Sequence, residues 1–132
     1  MGEINIKENK MVRSYPDLNE RVHNRMKYYS TVCPDIMKNF MQLYDGCMTQ
    51  KTIPRKVKDL IALGIAIGIR CDGCIAFHVN DAIKSGATHD EIIDTIAVAI
   101  VMGGIPSVVY GSQALDALNE FKNYGKENWE GM

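Results

Sequence analysis

Apolar positions recur every three to four residues in six stretches of the chain, which is the spacing of helices that bury one face. The first stretch carries Leu18, Val22 and Met26 on one stripe. The six predicted helices run over about 16–32, 34–44, 54–69, from the cysteine pair at 71 and 74 to 85, 89–102 and 107–123. Because no stretch alternates apolar and polar residues with a period of two, we expect an all-α fold.

Local signals place several of the helix ends. Pro34 suits a first helical turn and follows the end of the first stretch, and Asp45-Gly46 is expected to end the second helix. Gly86 fits a left-handed stop after the fourth helix. Thr88 followed by Glu91 predicts a capping box at the start of the fifth helix.

Two of the predicted helices are apolar around their whole circumference. These are the runs 60–69 and 96–102, and a helix of this kind must be covered on all sides. A chain of 132 residues forms one domain and is too small to enclose both runs. We therefore expect a homo-oligomer built from a single domain over 15–124, with a flexible arm over 1–14 and a tail over 125–132.

Charge and hydropathy exclude several functional classes. The net charge is −1 and there is no basic cluster, so nothing suggests a nucleic-acid partner. The first eleven residues are polar and lack the apolar core of a secretory signal. The run 60–69 has half the length that a bilayer span requires. We expect a soluble, cytoplasmic protein with no membrane partner.

The chemistry of the chain is concentrated in Cys71, Cys74 and His78. Residues three and four apart are neighbours on a helix, so the two thiols and the imidazole share one stripe. The first turn of a helix favours a thiolate, because its unpaired N–H groups and dipole lower the pKa of a cysteine. Cys33 and Cys47 are isolated. In a reducing compartment such a pair is typical of redox or metal chemistry.

The residues alone leave alternatives to redox chemistry open. Cys71, Cys74 and His78 could bind zinc, but a closed zinc site needs a fourth ligand, and no second cysteine pair supplies one. The cysteines could also be small buried hydrophobes. Ile75 follows the pair where c-type haem attachment requires histidine. We expect neither a cofactor nor a metal.

The spacing around the cysteine pair resembles a known family. Asp59, eleven further residues and then Cys71-x-x-Cys74-x-x-x-His78 resemble the active-site pattern of AhpD-like alkylhydroperoxidases. The segments 86–106 and 110–115 are similar to the wider carboxymuconolactone decarboxylase family. The resemblance covers about 35–121. It implies a six-helix AhpD-like fold that assembles as trimers or hexamers.

The resemblance also implies an activity. The cysteine pair would reduce hydroperoxides and be re-reduced by a dithiol carrier such as a lipoyl domain or a thioredoxin-like protein. By position, Cys74 would attack the peroxide and Cys71 would close the disulfide, with His78 and Asp59 as a proton relay. The acid of the family is most often glutamate, and its best-known peroxidases have a histidine where this chain has Gly73.

Asp59 can join such a relay only if the chain folds back. A straight helix would hold Asp59 about 18 Å from Cys71, so the chain must reverse near 70–73 or a neighbouring subunit must intervene. The alternative is a solvated first-turn acid that pairs with Arg55 or Lys56. Two alternative functions also stay open: a carboxymuconolactone decarboxylase-type lyase, and a zinc-binding or redox-switched structural oligomer.

Overall fold

A computed structural model of the chain describes residues 14–128, and its side chains as far as residue 123. The described chain forms six α-helices and no strand, which confirms the predicted fold class. The helices are α1 Tyr15–Val32, α2 Pro34–Met48, α3 Arg55–Gly68, α4 Asp72–Lys84, α5 His89–Gly103 and α6 Ile105–Asn128. The predicted arm, Ser14 excepted, lies outside the described residues, as does the predicted tail from residue 129 onward.

Most predicted helix boundaries are confirmed, and each has a local cause. At the start of α5, Thr88 accepts a hydrogen bond from the Glu91 N–H at 3.1 Å, and the Glu91 carboxylate accepts the Thr88 N–H at 3.2 Å. This is the predicted capping box. Gly86 follows α4 with a φ of 90°, the left-handed conformation in which glycine is favoured.

Two predicted boundaries are wrong. The helix α2 continues through Gly46 to Met48, because a glycine near the end of a helix costs only about 1 kcal/mol. It ends where the Thr49 N–H and hydroxyl both donate to the Asp45 carbonyl, at 2.9 and 2.6 Å. The helix α6 extends to Asn128 rather than ending near Asn123, and it begins at Ile105, with Pro106 in its first turn.

The core lies between α3, α4, α5 and α6. The helices α3 and α4 form an antiparallel hairpin, which packs against α5 and α6, while α1 packs on α4 and α6, and α2 packs mainly on α1. Large side chains from four helices are fully or almost fully buried there: Leu63, Ile67, Ile75, Val79, Ile92, Ile96, Leu118 and Phe121. The helix α2 has no buried residue and is the most peripheral of the six.

Close packing of α5 on α6 depends on Gly111. A Cβ at this position would lie 2.9 Å from Ile96 Cγ2, which is closer than side-chain carbons approach. We expect Gly111→Ala to lower the free energy of unfolding by about 2 kcal/mol, because overpacking forces neighbouring atoms to shift. Urea unfolding measures the change. The matched control is Gly46→Ala, whose Cβ would meet nothing within 4 Å and which should stabilise α2 slightly. Equal effects of the two substitutions would contradict the prediction.

Large apolar side chains remain exposed on several helices, among them α2, α3, α5 and α6. Their outward positions on α3 and α5 define the α3–α5 face: Val57, Ile61, Ile65, Val98, Val101 and Met102. Val101 is 83% exposed, although the same helix buries Ile96 and Ala99 in the core. The single chain thus covers only one side of each apolar helix. None of the described helices combines the length and hydropathy needed to cross a membrane.

Candidate active site

The turn between α3 and α4 places the cysteine pair at a helix start. Arg70 has a φ of 59°, and its N–H donates to the Ile67 carbonyl, while the Cys71 N–H donates to the Ala66 carbonyl, each at 3.2 Å. This is a Schellman ending with arginine where glycine is usual. The chain therefore reverses at 69–71, and α4 runs back along α3.

The two cysteines form a disulfide in the first turn of α4. Cys71 is the N-cap residue, and its sulfur accepts the Cys74 N–H at 3.2 Å. The Cα atoms of the two residues lie 5.1 Å apart. Cys33 and Cys47 are free, half-buried and exposed respectively. The predicted pair is thus close enough to be joined, at a helix N-terminus that favours negative charge.

His78 lies one helical turn beyond Cys74 and is largely buried. Its ring makes an edge contact with Phe77, with the ring centroids 5.2 Å apart. Burial lowers the pKa of His78 below its ordinary value, because an imidazolium loses hydration there. The nearby Asp59 charge opposes this shift and the Arg55 charge adds to it. The neutral ring is therefore the form at pH 7.

An apolar pocket of about 260 Å³ opens beside the disulfide. Its described walls come from α1, α2 and α4. The only lining side chain there that can become charged at neutral or mildly acidic pH, besides reduced cysteines, is His78. The lining residues are Val22, Met26, Phe40, Met41, Tyr44, Cys71, Gly73, Cys74, Phe77 and His78. Both sulfurs and the imidazole thus border one space that can hold a small organic molecule.

Asp59 is fully buried at the start of α3, with 0% of its surface exposed. Arg55 Nε lies 3.2 Å from both of its carboxylate oxygens, and the Ser85 hydroxyl donates to Oδ2. Arg55 Nη2 also lies 3.9 Å from Asp81 Oδ2. Burial raises the pKa of Asp81, and the Asp59 charge adds to the shift. Asp59 thus belongs to a charged cluster formed between α3 and α4.

These positions settle part of what the sequence left open about Asp59. The solvated interpretation is wrong, because the carboxylate is buried, although Arg55 is indeed its partner. Lys56 instead pairs with Glu91 at 3.0 Å. The chain reversal that a relay requires is present. In the part of the chain that the structure describes, no hydrogen bond joins Asp59 to His78, so Asp59 acts on the imidazole through its charge.

Sequence reasoning missed Tyr44, Asp81 and Ser85, and it named Arg55 only as a possible partner of a solvated Asp59. Tyr44 was recognised only as one of the apolar positions of α2, yet its side chain lines the pocket. Burial and the Asp81 charge raise its pKa to about 12. The only signal in the sequence is the four-residue spacing of Tyr44 from Phe40. This spacing indicates that the two residues share a helix face, but it does not show what that face contacts. Arg55 and Asp81 come together only because α4 folds back on α3.

The packing of α1 explains why a residue without a side chain suits position 73. A Cβ at this position would lie 3.1 Å from Val22 Cγ2, so α1 packs directly over the cysteine turn. A histidine here would bring such a Cβ and would require the Val22 side chain to shift by a few tenths of an ångström. The chain thus has one histidine on this helix start instead of two.

The described residues contain no group of side chains that supports metal binding. Among the described residues, no three His, Cys, Asp or Glu side chains group together as a metal site. The sulfurs of Cys71 and Cys74 are bonded to each other. The zinc alternative therefore gains no fourth ligand from the described part of the fold.

Comparison with known proteins identifies the family. The family model described as carboxymuconolactone decarboxylase matches residues 34–117. The chain belongs to the carboxymuconolactone decarboxylase family. An uncharacterized protein of Cupriavidus necator is 36% identical over 89 residues, which are 65% of this chain and 79% of that protein. An uncharacterized protein of Methanocaldococcus jannaschii is 33% identical over 95 residues, which are 70% of this chain and 90% of that protein.

Solved members of the carboxymuconolactone decarboxylase family share the fold. The apo structure of one from Legionella pneumophila is 31% identical, with a TM-score of 0.78, over 81% of this chain and 96% of that one. Another from Thermotoga maritima is 23% identical, with a TM-score of 0.75, over 85% of this chain and 95% of that one. The all-helical architecture is therefore that of the carboxymuconolactone decarboxylase family.

In this family member, the buried carboxylate is expected to stabilise the α3–α4 hairpin. We expect Asp59→Ala to lower the free energy of unfolding by about 2 to 3 kcal/mol, because it leaves Arg55 and Ser85 without their shared acceptor. We expect a loss near the lower end of this range, because Arg55 is 39% exposed and water can replace part of its lost hydrogen bonding. Urea unfolding with the disulfide intact measures the loss.

The control for Asp59→Ala is a substitution of Lys56, which lies about one helical turn earlier on α3. Lys56→Ala breaks the exposed pair with Glu91, and such pairs contribute at most about 1 kcal/mol. Asp59→Asn should also move the pKa of His78 further down, since the Asp59 charge raises it. An NMR titration of the His78 ring checks this. A stability loss no larger than that of Lys56→Ala would contradict the prediction.

Proposed function

We propose that the chain is a thiol-dependent hydroperoxide reductase and disulfide oxidoreductase of the AhpD-like type. The observation that supports this best is the Cys71–Cys74 disulfide, which borders an apolar pocket together with His78. A peroxide-reducing site needs a nucleophilic sulfur, a proton carrier and a second thiol that removes the sulfenic acid. One helix start offers all three groups.

The proposed reaction begins from the dithiol form. Neutral His78 takes the proton of Cys74, and the thiolate attacks the terminal oxygen of the hydroperoxide. A sulfur–oxygen bond forms, the oxygen–oxygen bond breaks, and the departing alkoxide takes the proton from His78 to leave as an alcohol. The Cys71 thiol then attacks the Cys74 sulfenic acid, which releases water and closes the disulfide.

An external dithiol completes the cycle. Its thiolate attacks the disulfide, and two exchange steps return both cysteines to thiols while the carrier is oxidised. A lipoyl group or a thioredoxin-like protein supplies this chemistry, and both suit the cytoplasmic location expected from the sequence. Cys71 caps the helix and its sulfur accepts an N–H, which stabilises a thiolate leaving group at that position.

Asp59 has an electrostatic role in this proposal. Its charge raises the pKa of His78 against the effect of burial, so it favours the imidazolium that exists between the two proton transfers. Arg55 and Ser85 fix the carboxylate in place. Asp59 is thus a positioning residue, and the proton itself passes through His78.

The pocket supports a reductase more than a lactone decarboxylase. A muconolactone carries carboxylates, which call for cationic side chains around the substrate. Among the described residues that line the pocket, none is lysine or arginine, and Arg70 is exposed in the turn outside it. An organic hydroperoxide is neutral and fits apolar walls.

Hydroperoxide turnover tests the proposal directly. The reduced protein should consume cumene hydroperoxide with dihydrolipoamide faster than the dithiol does alone, and should form one alcohol for each disulfide. Thiol titration should find two more thiols per chain in the reduced protein than in the oxidised one. No rate above that of the dithiol alone would overturn the proposal. Lactone decarboxylation by the same sample would favour the lyase.

We also propose that the chain forms a homo-oligomer, a trimer or a hexamer, through the α3–α5 face. Apolar patches of this extent mark interaction surfaces, and a groove on this face is lined by Leu60, Ile61, Ile65, Val98 and Met102. A second copy of the chain presents the same apolar surface. Subunit packing would cover the sides of α3 and α5 that one chain leaves open.

A charge placed in this face should disrupt the assembly. We expect Ile65→Lys to reduce the mass measured by sedimentation to that of a smaller species, because a lysine would be buried without a partner. Ile65 is 58% exposed in the single chain, so the fold should survive. Gln42→Lys adds the same charge on the exposed side of α2 and should leave the mass unchanged. An unchanged mass for Ile65→Lys would exclude this face as the interface.

A further inference from the structure

Two buried polar atoms at the pocket have no hydrogen-bond partner among the residues that the structure describes. They are the hydroxyl of Tyr44 and Nδ1 of His78, and both side chains line the space that borders Cys74. A buried polar group without a partner loses its hydration and gains no hydrogen bond in return, so each needs an explanation. Asn19 and Gln113 also have unpartnered oxygens, but neither lines this pocket.

Tyr44 stands opposite the reactive helix. It belongs to α2, and its ring packs edge-on against Phe77 of α4, with the centroids 6.3 Å apart. The charges of Asp81, Arg55 and Asp59 act on the Tyr44 hydroxyl. Two of them, Asp59 and Arg55, also act on His78. The pKa of Tyr44 is raised to about 12, mainly by burial, so the phenol keeps its proton and acts as a donor.

We propose that the Tyr44 hydroxyl is a further catalytic group of this site, which donates a hydrogen bond to the hydroperoxide oxygen that departs as the alkoxide. This inference rests on the proposed reductase function. The Cys74 sulfur bonds to the terminal oxygen, the oxygen–oxygen bond breaks, and its electron pair moves to the carbon-bound oxygen. The proton that completes the alcohol comes from His78, and Tyr44 keeps its own.

A hydrogen-bond donor beside the departing oxygen would lower the barrier because negative charge develops there in the transition state. No other lining residue in the described part of the chain carries a hydroxyl, and apart from the cysteines and His78 these residues are apolar. The hydroxyl of Tyr44 is covered in the disulfide form. The proposed role therefore includes a turn of the Tyr44 ring that brings its hydroxyl to a bound hydroperoxide.

The test is Tyr44→Phe, which removes one oxygen and keeps the ring against Phe77. With tert-butyl hydroperoxide we expect kcat/KM to fall by about 10- to 100-fold. With peracetic acid, whose departing acetate is a weak base and needs little help, the fall should be under about threefold. Reduction of the disulfide by dithiothreitol should keep the wild-type rate. Tyr29→Phe removes an exposed hydroxyl from α1 and should change none of these rates.

Each other outcome counts against the inference. Equal slowing with both peroxides, or slower disulfide reduction, would show that Tyr44 only supports the structure and would overturn the catalytic role. An unchanged kcat/KM with tert-butyl hydroperoxide would overturn it as well, while leaving the reductase function intact. A wild-type protein that consumes neither peroxide would refute the reductase function, and the role of Tyr44 with it.

Discussion

Cys74→Ser is expected to abolish hydroperoxide reduction completely. Serine is a poor nucleophile towards peroxide at neutral pH, and no other thiol lines the pocket except Cys71, the proposed resolving residue. Consumption of cumene hydroperoxide with dihydrolipoamide should fall to the rate of the dithiol alone. Cys47→Ser removes an exposed cysteine outside the pocket and should keep the wild-type rate.

Cys71→Ser separates the roles of the two sulfurs. Without a resolving thiol, the Cys74 sulfenic acid should persist after one peroxide equivalent and should be trapped by dimedone. The fold gives each sulfur one activating feature, since Cys71 caps the helix and Cys74 lies a turn from His78. A trapped sulfenic acid in Cys74→Ser, and none in Cys71→Ser, would reverse the proposed order of attack.

His78→Ala is expected to lower kcat/KM by about 100-fold at pH 7, the usual effect of removing a general acid–base group. The wild-type rate should fall as the pH drops through the lowered pKa of His78, because the protonated ring cannot accept the Cys74 proton. In His78→Ala that limb should vanish, and the rate should rise with the ionisation of the thiol instead. Stopped-flow oxidation of the reduced protein across pH measures both profiles.

The control for His78→Ala is His89→Ala. His89 is an exposed residue in the first turn of α5, so its loss should not affect the rate. Four titratable thiols in reduced His78→Ala would show that the cysteines are intact. A wild-type rate for His78→Ala at pH 7 would contradict its role in proton transfer.

The helices were predictable because their signals are local. Apolar spacing, the Thr88 capping box and the Gly86 stop each depend on residues a few positions apart, which one helical turn brings together. The two wrong boundaries are also local failures. The glycine in α2 predicts a helix end. However, the free-energy cost of one glycine is smaller than the stabilisation that the last helical hydrogen bonds provide.

The candidate site was predictable only where its residues share one helix. Cys71, Cys74 and His78 are placed by helical spacing alone, so their proximity follows from the sequence. Asp59 could be named only through the family resemblance, and its burial with Arg55 and Ser85 was not foreseen. Tyr44 was missed because it reaches the pocket from a different helix.

By itself, the sequence determined the six helices, the placement of the cysteine pair at a helix start and the imidazole one turn beyond. These depend on hydrogen bonds and side-chain neighbours within single helices. Only the tertiary structure decided that Arg70 turns the chain back, that Asp59 is buried in a charged cluster, and that α2 brings Tyr44 to the pocket. Contacts between helices depend on how whole faces pack against each other, and no local spacing encodes which face meets which.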